Sequence, residues 1–186
     1  MQDLTKLFPI PFVHLRIDDW EEKKPVILKV LSDCLFARKD DEFVDHDFYR
    51  PSHTYPYWND IKDLLLPTFA KFADIMGNDI HIKSYWTEKA KRGDTHLVHN
   101  HGALGYSSVL YVDYDENEHT PTRLIAPYLS FEQGSQITYD PPDVKSGSII
   151  FFPSQLLHYT LPNNSNKERL IMSFNIGISR VLQPAL

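Results

Sequence analysis

Hydrophobic and polar positions change their rhythm partway along the chain. Over residues 58–76, Ile61, Leu64, Leu65, Phe69, Phe72, Ile75 and Met76 recur at helical spacing, and Gly77 follows as a left-handed stop. Pro67 lies inside this pattern and predicts either a kink or two shorter helices. Upstream, residues 12–17 alternate as a strand. Asp18 or Asp19 then caps a helix expected over 20–36, with Pro25 interrupting its early part. Residues 37–57 are polar, aromatic and Pro-containing, and predict an irregular loop.

From Asp79 onward the period falls to two. Residues 80–86, 106–112, 122–129, 149–152 and 170–178 read as strands. Turn-forming clusters separate them: Arg92-Gly93-Asp94, residues 113–120, Gln133-Gly134-Ser135, Asp140-Pro141-Pro142 and Asn163-Asn164-Ser165-Asn166. Short strands divided by turns and preceded by helices predict a mainly β protein, a double-stranded β-helix (jelly roll, cupin-like) with helical buttressing. One domain spans 1–186, with a strand and supporting helices over 1–78 and the jelly-roll core over 79–180. Thirteen prolines against seven glycines agree with many short elements joined by stiff turns.

Charge narrows the partners. A net charge of -6 gives no overall basic field for nucleic acid or an acidic membrane face. The short runs Glu21-Glu22-Lys23-Lys24 and Lys89-Ala90-Lys91-Arg92 read as solvated surface. Cys34 is alone, which excludes an intrachain disulfide and a Cys-based zinc site; its apolar neighbours suggest a buried thiol on a helix face. The first residues lack the long apolar stretch of a signal peptide, and no apolar run approaches the ~20 residues of a spanning helix. A cytoplasmic location is expected. Oligomeric state is not legible.

The chemistry concentrates in three of the nine histidines. His99 and His101 share strand parity and can point at one metal together. His96 has the opposite parity unless a bulge intervenes, and reads as a supporting residue. His158 follows the apolar stretch 147–154, a core strand leading into a tight turn. A lone histidine is more often structural, which is the reading for His14, His46, His53, His81 and His119. In the last strand Arg169, Ile171, Ser173 and Asn175 share one face. An arginine facing an apolar interior needs an anion, either a protein carboxylate or a dicarboxylate ligand, and its fork suits bidentate binding.

Trp86, Gly93-Asp94, His99-Asn100-His101 and residues 107–112 occur in order. Residues 147–154, His158, Glu168-Arg169 and Ser173-Phe174-Asn175 follow. Together they resemble a bacterial and phage branch of the 2-oxoglutarate and iron(II)-dependent oxygenases, distantly related to prolyl hydroxylases. The likeness covers about residues 80–178, and its specificity lies in the order and spacing of the fragments. It implies an enzyme using iron(II), 2-oxoglutarate and O2 to hydroxylate a C–H bond, with release of succinate and CO2. It also implies that His99 and His158 are metal ligands, and that Arg169, Tyr111 and Ser173 hold the distal carboxylate of 2-oxoglutarate.

The family pattern is His-x-Asp or His-x-Glu with a distant His. Here the acid position holds His101. Direct ligation by His101 is expected from parity, with Asp94 or Asp113 as the alternative third ligand. A halogenase is disfavoured, because a large His101 leaves no room for halide. Two other classes stay open: a cupin-like metal protein without 2-oxoglutarate, and a non-catalytic jelly-roll binding module. The cupin pattern places an acid shortly after His-x-His, and residues 102–112 contain none. The substrate, an amino acid, peptide or small metabolite, would be set by loops at 37–57 and 113–121. Phe48, Tyr49, Tyr55, Tyr57 and Trp58 are candidates for its pocket wall.

Overall fold

The computed structural model describes residues 9–32, 43–47 and 57–181. The elements run β1 (Val13–Arg16), α1 (Trp20–Ser32), β2 (Asp45–His46), α2 (Tyr57–Met76), β3 (Asn78–Ala90), β4 (His96–His99), β5 (Tyr106–Asp113), β6 (Arg123–Leu129), β7 (Gln136–Tyr139), β8 (Ser148–Pro153), β9 (His158–Thr160) and β10 (Arg169–Val181). The proposed positions of Cys34, Phe48, Tyr49, His53 and Tyr55 lie outside the described residues.

Six strands form one sheet in the order β1-β8-β5-β10-β3-β2, and four form a second in the order β4-β9-β6-β7. All pairings are antiparallel. From β3 to β6 the chain alternates between the sheets, and after the β6–β7 hairpin it alternates again to β10. That is the winding of a jelly roll, and it confirms the mainly β fold with N-terminal helices.

The large sheet has a core on each face, as its alternation demands. On its outer face Leu110, Phe151, Met172 and Phe174 pack under α1 and α2, against Ile27, Leu65, Phe69 and Phe72. Phe72 and Phe151 stack with ring centroids 4.1 Å apart. Burying side chains of this size stabilises by roughly 1.5–3 kcal/mol each. On the inner face Val109, Tyr111, Ile150, Phe152 and Ile171 meet Leu124 and Leu156 of the small-sheet side.

Both helices run through their prolines. Pro67 lies inside α2 and Pro25 inside α1, so neither a break at Pro67 nor an interruption at Pro25 occurs. The buried outer-face side chains hold both helices against the sheet and offset the missing backbone donors. Asp19 starts α1 through its carbonyl, which accepts from Glu22 and Lys23, while the Asp18 carboxylate pairs with Lys71 of α2 at 2.6 Å. Trp20 anchors α1 to the turn before β8: its indole donates to Ser146 Oγ at 2.9 Å, and its ring covers Gly147, where a Cβ would clash at 2.4 Å. Tyr57 and Trp58 belong to this outer core, so neither is a wall of the barrel mouth. Among the described residues no helix is long and apolar enough to cross a membrane.

Candidate metal centre

The inner face of the large sheet carries a row of polar side chains at the end where β4 and β9 meet. His99 and His158 are direct cross-strand partners in the β4–β9 ladder. Each ring is tied back to its own strand. His99 Nδ1 lies 2.7 Å from Leu97 C=O, and His158 Nδ1 lies 2.9 Å from Leu156 C=O. A carbonyl only accepts, so both Nδ1 atoms carry the proton and both Nε2 atoms present a lone pair.

His101 completes the group from just beyond the end of β4. Its backbone N–H donates to Ser154 C=O at 2.9 Å, and Ser154 N–H donates to Gly105 C=O at 3.0 Å. The loop after β4 is thus stitched to the turn that delivers His158. Gly105 has φ +93°, and a Cβ there would meet Ile176 O at 2.1 Å, so only glycine fits this close approach. One ligand atom from each of His99, His101 and His158 lies within 4.8 Å of the others. Ring centroids are 4.3 Å apart for His99–His158 and 4.9 Å for His99–His101.

The surroundings keep these imidazoles neutral. Burial lowers the pKa of His158 to about 3 and of His101 to about 4, reinforced in both by the neighbouring His99. Burial and then His96 lower His99 as well. Neutral imidazole is the form that binds metal, and three of them suit iron(II), nickel(II) or zinc(II). The donor set therefore fits a divalent transition ion.

The two acids named as alternative ligands are elsewhere. Asp94 accepts from Lys91 N–H at 2.9 Å within its own turn, and Asp113 pairs with Lys24 at 2.8 Å on the surface. Neither lies in the histidine group. His96, expected to point away, does reach the site. The β4–β9 register shifts between His96 and His99, and this bulge stacks the two rings at 4.1 Å. Of the lone histidines, His119 accepts from Asp115 N–H and donates to Lys167 C=O, and His81 Nδ1 lies 2.7 Å from Ser179 Oγ.

Arg169 is 3% exposed at the start of β10. Its Nη1 donates to Thr120 C=O at 3.0 Å, and among the described residues no carboxylate forms an ion pair with it. Tyr111, fully buried on the adjacent strand, accepts from Thr122 N–H at 3.0 Å. Thr122 also lines the cavity between the histidines and β10, whose empty volume including the open mouth is ≈ 340 Å³. Arg169 and Tyr111 therefore lie behind the cavity wall, while Ser173 lines the cavity itself.

Glu88 is the residue that sequence reasoning missed. It lines the same cavity and is 4% exposed. Its Oε1 accepts from Trp86 Nε1 at 2.8 Å and, more weakly, from Ser173 Oγ at 3.4 Å; its Oε2 lies 2.9 Å from His96 Nδ1. Burial alone would raise its pKa, but the electrostatic attraction and hydrogen bond of His96 and the Trp86 donor outweigh it, holding the carboxyl well below the usual range. The available signal was the strand period: Trp86 and Glu88 share the interior face of β3.

Residues 84–175, the strands that build this site, match the family model described as "Putative 2OG-Fe(II) oxygenase". Over these residues, just under half of the chain, the sequence resembles the 2OG-Fe(II) oxygenases. The chain is an Fe(II)/2-oxoglutarate-dependent dioxygenase, with iron(II), 2-oxoglutarate and O2 as its cofactor and cosubstrates. No curated protein matches the sequence.

Solved structures share the fold. HygX from Streptomyces hygroscopicus, crystallised with nickel, 2-oxoglutarate and hygromycin B bound, aligns with a TM-score of 0.69 at 13% identity, covering 91% of this chain and 84% of that one. The epimerase SnoN from nogalamycin biosynthesis gives 0.68 at 12% identity, over 90% and 77%. A Pseudomonas putida prolyl-4-hydroxylase gives 0.54 at 14% identity, over 89% and 92%. At such identities the likeness carries the fold and not the substrate.

Proposed function

We propose that this oxygenase, acting as one domain, holds iron(II) with His99, His101 and His158 and hydroxylates a C–H bond of an amino acid, peptide or small metabolite. The overall change would be substrate C–H plus 2-oxoglutarate plus O2 to C–OH plus succinate plus CO2. The observation that carries the ligand set is the convergence of three neutral imidazoles within 4.8 Å, two of them with Nδ1 tied back and Nε2 turned free.

When bound, the metal and 2-oxoglutarate supply the oxidising chemistry. The chain supplies position. The carbonyls of Leu97 and Leu156 fix ring orientation and tautomer of two ligands, as the outer partners of metal-bound histidine commonly do. Arg169 anchors the distal carboxylate of 2-oxoglutarate, with Tyr111 and Ser173 as further donors. Its burial without an ion-paired carboxylate supports this role, because an uncompensated interior guanidinium calls for an anion.

We place its action in the cytoplasm, where a lone thiol such as that of Cys34 stays reduced. The direct test loads the protein with iron(II), adds 2-oxoglutarate, and follows succinate with and without panels of amino acids, peptides and metabolites. Metal-dependent 2-oxoglutarate binding and substrate-stimulated succinate are expected. Failure of the metal-loaded protein to bind 2-oxoglutarate would sink the assignment. A metal-bound crystal structure with Asp or Glu on the ion and His101 turned away would refute the ligand set alone.

A further inference from the structure

Three imidazoles around a dication leave a charge problem that the usual His, His, carboxylate set does not have. In the interior of this barrel the dication and Arg169 bring three positive charges. Bound 2-oxoglutarate brings two negative ones, and the proposed protein ligands bring none. One positive charge is left over in a region sheltered from water, where imbalance is costly.

Glu88 is the one carboxylate lining that cavity among the described residues. Its two oxygens each hold a ring that lies against a proposed ligand. Oε2 is hydrogen-bonded to His96, whose ring stacks on His99 at 4.1 Å. Oε1 accepts from Trp86, whose ring lies 5.2 Å from that of His101. The strand register explains the placement: Trp86 pairs with Ser173 and Glu88 with Ile171 on the interior face of β3 and β10.

We propose that Glu88 is the displaced carboxylate of this metal centre: it supplies from behind His96 and Trp86 the negative charge that His101 removes from the ligand set, and it positions both rings that back the ligands. With Glu88 ionised and His96 donating to it as a neutral imidazole, dication, Arg169, Glu88 and 2-oxoglutarate sum to zero, as they do when an aspartate is a ligand. Glu88 is a positioning residue, since it acts on the ligands through His96 and Trp86. This inference rests on the three-histidine ligand set proposed above.

The test is cobalt(II) titration of the metal-free full chain by calorimetry, with the melting temperature of each metal-free variant as a folding control. Glu88→Gln removes the charge but keeps an oxygen to accept from Trp86. It is expected to weaken cobalt binding about 10–100-fold, as losses of outer partners of metal ligands do. Adding His101→Asp to it returns a carboxylate to the centre and should restore binding to within several-fold of the wild type. Cobalt affinity unchanged in Glu88→Gln, or lost and not restored by His101→Asp, overturns the proposal. A merely structural glutamate would not be rescued by an acid at position 101. If Glu88→Gln fails to fold, His101→Asp alone decides. Two carboxylates then overcompensate, and 2-oxoglutarate should bind the cobalt-loaded variant about 10-fold more weakly or worse; unchanged affinity overturns the proposal. His99→Ala and His158→Ala binding cobalt like the wild type would instead overturn the ligand set on which it rests.

Discussion

His99 and His158 face each other across the β4–β9 ladder, each with Nδ1 held by the carbonyl two residues before it, at 2.7 and 2.9 Å. The symmetry has a simple origin. Both strands end at the same rim of the small sheet, and each ring folds back onto its own backbone before turning Nε2 inward. Replacing either histidine by alanine should therefore remove cobalt binding by at least about 100-fold. The fold should survive, because His99 is only half-buried and neither ring belongs to the aromatic outer core. Calorimetry and circular dichroism check the two halves of that statement.

The metal-free protein should lose stability on mild acidification. His101 and His158 have folded-state pKa values lowered to about 4 and about 3, against an unfolded value near 6.5. Between those limits the unfolded chain binds more protons, so stability falls as pH drops from about 6.5 towards 4. Bound metal, which requires the neutral rings, should shift the loss to lower pH. Melting curves at pH 7.5, 6 and 5, with and without cobalt, measure both effects. A melting temperature independent of pH over this range would contradict the buried, neutral state of the rings.

Arg169 should separate cosubstrate from metal. Arg169→Ala is expected to weaken 2-oxoglutarate binding to the cobalt-loaded protein by about 100-fold or more while cobalt affinity changes little. Equal loss of both would mean that the residue is structural. Because the guanidinium is buried without an ion-paired acid, Arg169→Met should leave the ligand-free protein as stable as the wild type or raise its melting temperature by a few degrees.

Gly105 couples backbone shape to the site. A β-carbon there meets Ile176 O at 2.1 Å, and the left-handed backbone adds about 1–2 kcal/mol for any L side chain. Gly105→Ala should lower the melting temperature and also weaken cobalt binding, because Gly105 C=O secures Ser154, which in turn holds His101. Destabilisation with undiminished metal affinity would show that the two properties are independent.

Much of this protein is local in origin. The switch from a 3.6-residue to a two-residue period after Gly77 specifies helices followed by strands, because side-chain direction follows directly from backbone geometry. The order of His99, His101, His158 and Arg169 along the chain carries the family likeness for the same reason: each sits at a recognisable point of a strand or turn. Long-range packing settled the rest. Pro67 stays inside one helix because the aromatic face of α2 is buried on the large sheet, and a propensity argument does not include that partner. His96 swings inward because a bulge forms only when β4 pairs with β9. His101 is positioned by Ser154, more than fifty residues away, and not by strand parity. Asp94 and Asp113, close to the histidines along the chain, are drawn off by Lys91 and Lys24. Glu88 comes to the centre instead, because the β3–β10 register turns it inward and the β4 bulge brings His96 to its carboxylate. Which residues alternate is written in neighbouring positions; which acid faces the histidines depends on pairings between strands that no local pattern encodes.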